Sequence, residues 1–292
     1  MSTRLDALPS PPGGEAVRRL LAAHGVRPSP ALGQHFLTDP NTARRVARLA
    51  GVGAGDQVVE IGAGLGSLTV ALAATGAGVM AVEVDRHLVP VLREVVAASP
   101  GVTVVEGDAL AMDWGRVLGA GGPWVLVANL PYNVATPLVV RLLEEVPAIA
   151  RMLVMVQAEV GERLAAGPGE EAYGAVSVKV AYWGTARVVG RVPPTVFLPR
   201  PRVESALVAI ERHRAPAIPP EVVGYERLAR VVRAGFGQRR KTLRRALRGV
   251  VDEAAFAAAG VPPSARAEEL DLTAWGRLAA WRTTTTSEPR PS

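Results

Sequence analysis

The 292-residue chain has no cysteine, which excludes a disulfide framework, thiolate metal sites and a cysteine nucleophile. It also lacks an apolar run of membrane-spanning length. Even residues 124–140 are interrupted by Asn129, Pro131, Asn133 and Pro137, so no transmembrane helix is expected. Residues 1–14 are rich in Pro, Gly and Ser and contain no apolar core of a secretion signal. These absences predict a cytoplasmic protein with no membrane partner and no metal. Lysine is scarce as well, Lys179 and Lys241 being the only two. Base composition accounts for arginine in place of lysine, but not for where the charge falls.

About half the residues (49%) are hydrophobic, enough to bury a large core and a smaller one. The chain carries 33 basic and 27 acidic side chains, and residues 1–210 hold 18 of each. Residues 211–292 hold 15 basic against 9 acidic, so the whole excess of +6 lies in the last quarter. A basic segment on a neutral body points to a polyanion, and nucleic acid is the commonest.

Residues 1–14 and 283–292 read as disordered, because neither segment has apolar surface to bury. Near-continuous apolar runs at residues 57–61, 79–84, 102–106, 124–128 and 151–157 predict strands covered on both faces. Helical spacings at 67–74, 88–98 and 137–145 separate some of them, which predicts a mostly parallel α/β sheet. Runs at 177–182 and 205–210 read as further strands at one edge. The Pro-rich stretch 215–220 reads as a linker, followed by short helices over 225–236, 241–250, 252–259 and 272–281. The domain reading is therefore 15–214 for the α/β body and 215–282 for a small all-α domain.

The first strand runs into Glu60-Ile61-Gly62-Ala63-Gly64-Leu65-Gly66, a turn in which glycines let the backbone approach a ligand at a helix N-terminus. Nicotinamide, flavin and methyl-donor enzymes all use such turns. Ser67 stands where the dinucleotide fingerprint requires Gly or Ala, and S-adenosylmethionine has no pyrophosphate to cradle. Glu83 ends the second strand 21 residues after Gly62, where a carboxylate can accept from ribose hydroxyls. Asp108 follows the third strand, where it can accept from an adenine amino group. Singly, each acid is an ordinary strand-end charge. In order at the ends of consecutive strands, they describe one cofactor cleft.

After the fourth strand comes Asn129-Leu130-Pro131-Tyr132. An Asn oxygen and a neighbouring carbonyl can accept both hydrogens of an exocyclic amine and hold its lone pair towards an electrophilic methyl group, so the gain is positional. Tyr132 offers a stacking face for a base that is unpaired or flipped. Phe197, in Phe197-Leu198-Pro199-Arg200-Pro201-Arg202, is a candidate second face. Gly33-Gln34-His35-Phe36-Leu37 precedes a helix near Asn41 that Asp39 is placed to cap. In the basic segment, Arg239, Arg240, Lys241, Arg244, Arg245 and Arg248 lie within ten residues. Positions 241, 244, 245 and 248 share one face of the expected helix, with Leu243 and Leu247 on its flank, and this stripe is the candidate RNA-binding surface.

In these motifs the chain resembles the ribosomal RNA adenine N6-dimethyltransferases, above all the bacterial small-subunit (16S) enzymes. The resemblance runs from about residue 32 to about residue 278 and adds VQAEVGERL, YGAVSV, PRPRVESA and FGQRRKTLRRAL. It implies a Rossmann-like domain with a small helical C-terminal domain. It also implies transfer of four methyl groups from S-adenosylmethionine to two adjacent adenosines near the 3′ end of 16S rRNA in the immature 30S subunit; a monomer is expected. The family's cofactor contacts fall on His35, Leu37, Gly62, Glu83, Asp108 and Asn129, to which the glycine turn itself adds Gly64, and its catalytic motif falls on Asn129 to Tyr132. Three other readings remain. FGQRRKTLRRAL and PRPRVESA argue against a large-subunit, antibiotic-resistance methyltransferase. The intact Asn129-to-Tyr132 motif argues against a non-enzymatic assembly factor, and Ser67 argues against a dehydrogenase.

Overall fold

The computed structural model describes residues 10–29, 31–119 and 121–281. In chain order the elements are α1 (Gly14–Ala23), β1 (Phe36–Leu37), α2 (Pro40–Ala50), β2 (Gln57–Ile61), α3 (Ser67–Ala73), β3 (Gly78–Glu83), α4 (Val89–Val96), β4 (Val102–Glu106), α5 (Trp114–Leu118), β5 (Trp124–Asn129), α6 (Ala135–Glu145), β6 (Ile149–Gln157), α7 (Ala158–Ala165), α8 (Ala175–Trp183), β7 (Gly184–Val192), β8 (Phe197–Leu198), β9 (Ser205–Arg212), α9 (Tyr225–Gly237), α10 (Leu243–Ala246), α11 (Glu253–Ala259) and α12 (Leu272–Ala280).

Seven strands form one sheet in the order β4-β3-β2-β5-β6-β9-β7. The first five run parallel, and β9 pairs antiparallel with β6. Valines and leucines of β2, β5 and β6 are almost fully buried, as expected of strands with helices on both faces. The sheet order reverses at β2, whose neighbours β3 and β5 carry the chain away in opposite directions. The crevice outside the carboxyl ends of β2, β3 and β5 is thus the natural ligand position in an open α/β sheet. The small two-stranded pairing of β1 with β8 brings the segment before α2 against the segment before β9.

The described residues divide into two compact units. One runs up to Ala165 and takes in Thr185–Arg212; the other comprises Ala166–Gly184 and the described residues from His213 onward. The expected single break near residue 215 is therefore corrected: residues 166–184 belong with the C-terminal helices. Within them the expected strand 177–182 is the helix α8. Ser177, Val178, Val180 and Tyr182 are all buried, so the helix has no polar face to reveal a 3.6-residue period and reads like a covered strand. The Gly174 amide donates to Ser177 Oγ at 3.0 Å and fixes its start. In the same unit Gly235 of α9 lies against the Trp275 ring of α12, where any Cβ would collide with the indole.

Other departures are smaller. The edge strand β7 was not legible, having glycines at Gly184 and Gly190 and much exposed surface. The helix α1 was also missed, although Val17 and Leu21 bury one side of it. Pro11 is buried, which corrects the reading of 1–14 as disordered for its described part. Residues 1–9 and 283–292 lie outside the described residues. The expected helix over 241–250 shrinks to α10. The Leu243 and Arg244 amides donate to the carbonyls of Ala265 and Pro263 at 2.8 and 3.1 Å, so the start of α10 is held by a neighbouring loop. At the other end Gly249 adopts φ +76°, a left-handed conformation that stops propagation.

Candidate active site

The cleft opens where β2, β3 and β5 end, all in the larger unit. Gly64 has φ +57°, and a side chain there would press on the Phe36 ring, so the turn between β2 and α3 requires glycine twice over. Phe36 packs with Val17, Leu21 and Leu65, which makes α1 a wall behind the glycine turn. Leu37 is buried, and its carbonyl accepts from Ser67 Oγ at 2.7 Å. The serine that breaks the dinucleotide pattern thus ties the segment before α2 to the start of α3. Gln34 completes the lashing, with Nε2 donating to Asp85 Oδ2 at 2.8 Å. Asp39 caps α2 as expected, accepting from the Asn41 and Thr42 amides.

Two adjoining hollows make up the cleft. The first is lined by His35, Leu37, Glu60, Gly62, Gly64 and Glu83, and by Asn129 through Tyr132. The second is lined by Ile61, Val82, Val84, Asp108, Leu110 and Leu138, an apolar sleeve with one carboxylate. Every expected cofactor residue falls on one of these two walls. Glu83 is buried, its two oxygens accepting from the Gly64 amide at 2.7 Å and the Asp85 amide at 2.9 Å. Burial still raises its pKa above the ordinary carboxylate value, against the lowering pull of those amides. Asp108 is exposed and caps its own turn, accepting from the Leu110 amide at 2.8 Å.

Glu60 is the residue that sequence reasoning missed. In the sequence it is only the start of the glycine motif, yet it is 1% exposed and its Oε2 has no partner among the described residues. Burial pushes its pKa up to about 8, opposed by the Thr69 side chain and reinforced by the Glu83 carboxylate. An acidic residue one position before the end of a buried strand, two before the first glycine, was the available signal. An ionised carboxylate buried without a partner is costly, so Glu60 keeps its proton to a higher pH.

At the other wall, Asn129 Nδ2 donates to the His35 carbonyl at 3.0 Å, so the contribution of His35 to this wall includes its backbone. With the nitrogen engaged, Asn129 Oδ1 is the acceptor left for a ligand. The Pro131 carbonyl is taken by the Val134 and Ala135 amides at the start of α6. The Leu130 carbonyl accepts no such bond among the described residues. Tyr132 is half-buried; its hydroxyl is 3.1 Å from Ser205 Oγ, and its ring is tilted against the His35 imidazole at a centroid distance of 5.3 Å.

Phe197 does not join this wall. It is 5% exposed and packs in the core with Leu37, Val192 and Leu207, because its pairing with Leu37 in β1–β8 turns the ring inward. Its expected role as a stacking face is corrected to one of packing. The basic run in the smaller unit is only partly as expected. Leu243 and Leu247 are buried and the six cations exposed. With α10 so short, however, they do not form a helical stripe. Arg239 Nε pairs with Glu268 at 2.7 Å and Arg244 Nε with Glu253 at 3.1 Å, whereas Arg240, Lys241, Arg245 and Arg248 have no ion pair among the described residues.

Solved structures place this architecture among the Rossmann-like RNA methyltransferases. The 23S rRNA methyltransferase ErmE is 26% identical with a TM-score of 0.66, over 84% of this chain and 98% of that one. A dimethyladenosine transferase from Plasmodium falciparum, 22% identical with a TM-score of 0.69 over 84% of this chain and 96% of that one, shares the fold. The family model for ribosomal RNA adenine dimethylase matches residues 27–283, and the chain belongs to that family. Its relatives include the ribosomal RNA small subunit methyltransferases A of Nocardia farcinica, 48% identical over 92% of this chain and 94% of theirs, and of Thermobifida fusca, 47% identical over 91% and 94%.

Proposed function

We propose that this protein transfers methyl groups from S-adenosylmethionine to N6 of two adjacent adenosines near the 3′ end of 16S rRNA, yielding N6,N6-dimethyladenosine in the immature 30S subunit. It does so in the cytoplasm as a monomer. The observation that carries this reading is the arrangement at Asn129. Its amide nitrogen is committed to the His35 carbonyl, which leaves Oδ1 to accept one N6 hydrogen and the Leu130 carbonyl the other. Holding both hydrogens in the plane of the base frees the nitrogen lone pair for in-line attack, so no strong base is needed. Tyr132 supplies the stacking face for the unpaired adenine.

The cleft suits the proposed cofactor. Two buried carboxylates, Glu60 and Glu83, lie where a ligand with cationic groups gains most, and the orphaned Glu60 oxygen would find its partner there. The apolar sleeve ending at Asp108 fits an adenine with its amino group at the carboxylate. When bound, S-adenosylmethionine supplies a methyl group on a positively charged sulfur. Glu83, Gly62 and Gly64 would hold its ribose side, and His35 and Leu37 would close over it.

The smaller unit is the proposed RNA grip, through Arg240, Lys241, Arg245 and Arg248, the cations of the run without ion pairs among the described residues. Such contacts give affinity and orientation rather than base identity. The test is to incubate the protein with labelled methyl donor and immature 30S particles, then map the label. Label on two neighbouring adenines near the 16S 3′ end is expected. Label elsewhere in the particle RNA, or none, would overturn the reading.

A further inference from the structure

Tyr132 is held by more than its own motif. Its hydroxyl meets Ser205 Oγ at 3.1 Å, and Ser205 is 1% exposed at the first position of β9. The sheet fixes that position: Ser205 lies opposite Gln157 of β6, and the neighbouring Ala158 amide donates to the Glu204 carbonyl at 2.9 Å. On the other side, His35 lies against the Tyr132 ring. Its Nδ1 donates to the Pro199 carbonyl at 2.7 Å. Both rings are thus tethered to the segment from Pro199 to Ser205, one through a backbone carbonyl and one through a buried hydroxyl.

We infer that Ser205 is a positioning residue for methyl transfer, pinning the Tyr132 hydroxyl so that the ring presents a fixed face to the target adenine. The inference rests on the proposed stacking role of Tyr132 and extends it to a residue outside the Asn129-to-Tyr132 motif. A tyrosine ring turns about two side-chain bonds; a hydrogen bond at its far end restrains the first, and the His35 ring packed against it restrains the second. The His35 imidazole occupies one side of the ring, which leaves the other for a base. At 5.3 Å between centroids there is no room for an adenine between the two rings. Phe197, buried in the core, does not supply an opposing face, so alignment depends on this single platform. A residue of this kind acts on the rate more than on binding, because the lost restraint is felt where the amine must point at the methyl group.

The test is a double-mutant cycle in single-turnover methylation of immature 30S particles, with particle and cofactor affinities measured alongside. Ser205→Ala and Tyr132→Phe should each slow the methylation step about tenfold, the effect of losing one hydrogen bond, with both affinities unchanged. The double variant should be no slower than either single one, because each removes the same bond. A wild-type rate in Ser205→Ala, or two losses that multiply to about a hundredfold, would overturn the inference. Should Ser205→Ala fail to fold, Tyr132→Phe alone decides, and a wild-type rate in that variant is equally fatal. If the wild-type protein itself leaves 16S adenines unmodified, it is the proposed function that fails.

Discussion

Polar groups around the cofactor cleft mostly have partners inside the larger unit, whereas the cations of residues 239–248 in the smaller unit divide into two kinds. In the cleft, Glu83, Asn129, His35, Tyr132, Gln34 and Ser67 each make a defined bond, and Glu60 is the exception. In the basic segment, Arg239 and Arg244 are paired with Glu268 and Glu253, while four neighbours have no ion pair among the described residues. The difference reflects what each region is proposed to hold. A small-molecule cleft gains from rigid, preorganised geometry, with one unsatisfied group waiting for its ligand. A polyanion is held by charges that exchange counterions for phosphates and need no fixed geometry.

The largest expected effect tests the geometric half of that contrast. Asn129→Ala should slow methylation by about a hundredfold or more, with RNA affinity nearly unchanged, since the loss is one of alignment. A near-normal rate would mean that the reacting amine is held elsewhere. Glu60 tests the exception. Its pKa of about 8 against an ordinary 4.5 means that the folded, cofactor-free protein keeps a proton that the unfolded chain releases. Stability should therefore fall as pH rises from about 4.5, the fall being complete above about 8. Glu60→Gln should flatten this decline by on the order of 2–4 kcal/mol, as read from denaturant unfolding at pH 5 and pH 9. Glu83, shifted upward too, would leave a smaller residual slope. An unchanged profile would show that Glu60 is ionised at neutral pH.

Glu83→Ala should weaken S-adenosylmethionine binding by roughly 1–3 kcal/mol, measured by calorimetry on a variant with native circular dichroism. Equal affinity would remove Glu83 from the site. The smallest effect per residue belongs to the basic segment and sharpens the comparison. Reversing Arg240, Lys241, Arg245 and Arg248 to Glu should weaken binding to the 30S particle. The slope of log affinity against log salt should fall by roughly 0.7–0.9 for each phosphate that is no longer neutralised. Reversing Arg239 and Arg244 should cost less, because their charges are already neutralised. Cofactor affinity should survive both, as its groups lie in the other unit. If the two sets behave alike across a salt titration, intramolecular pairing does not decide which cations meet RNA.

The order of functional groups along the chain was legible without the fold. Gly62, Gly64, Glu83, Asp108 and Asn129 each end or follow a strand of a parallel sheet, and in such a sheet sequence order already implies a shared edge. The same logic failed wherever burial erased a pattern or distant residues supplied a partner. The helix α8 reads as a strand because it is covered all round, and Phe197 reads as a free ring because nothing local shows that β1 turns it inward. The absence of acids between Arg227 and Val251 made the basic run look uniformly free. Glu253 and Glu268, near in space but not in sequence, neutralise two of its members. The sequence by itself placed the candidate site, since the glycine turn, the strand-end acids and the Asn129-to-Tyr132 motif are local. Only the tertiary structure decided which charges stay free, which carboxylate is stranded in the cleft and which serine holds Tyr132. Each of those depends on contacts between residues far apart in the chain, and no short-range pattern records them.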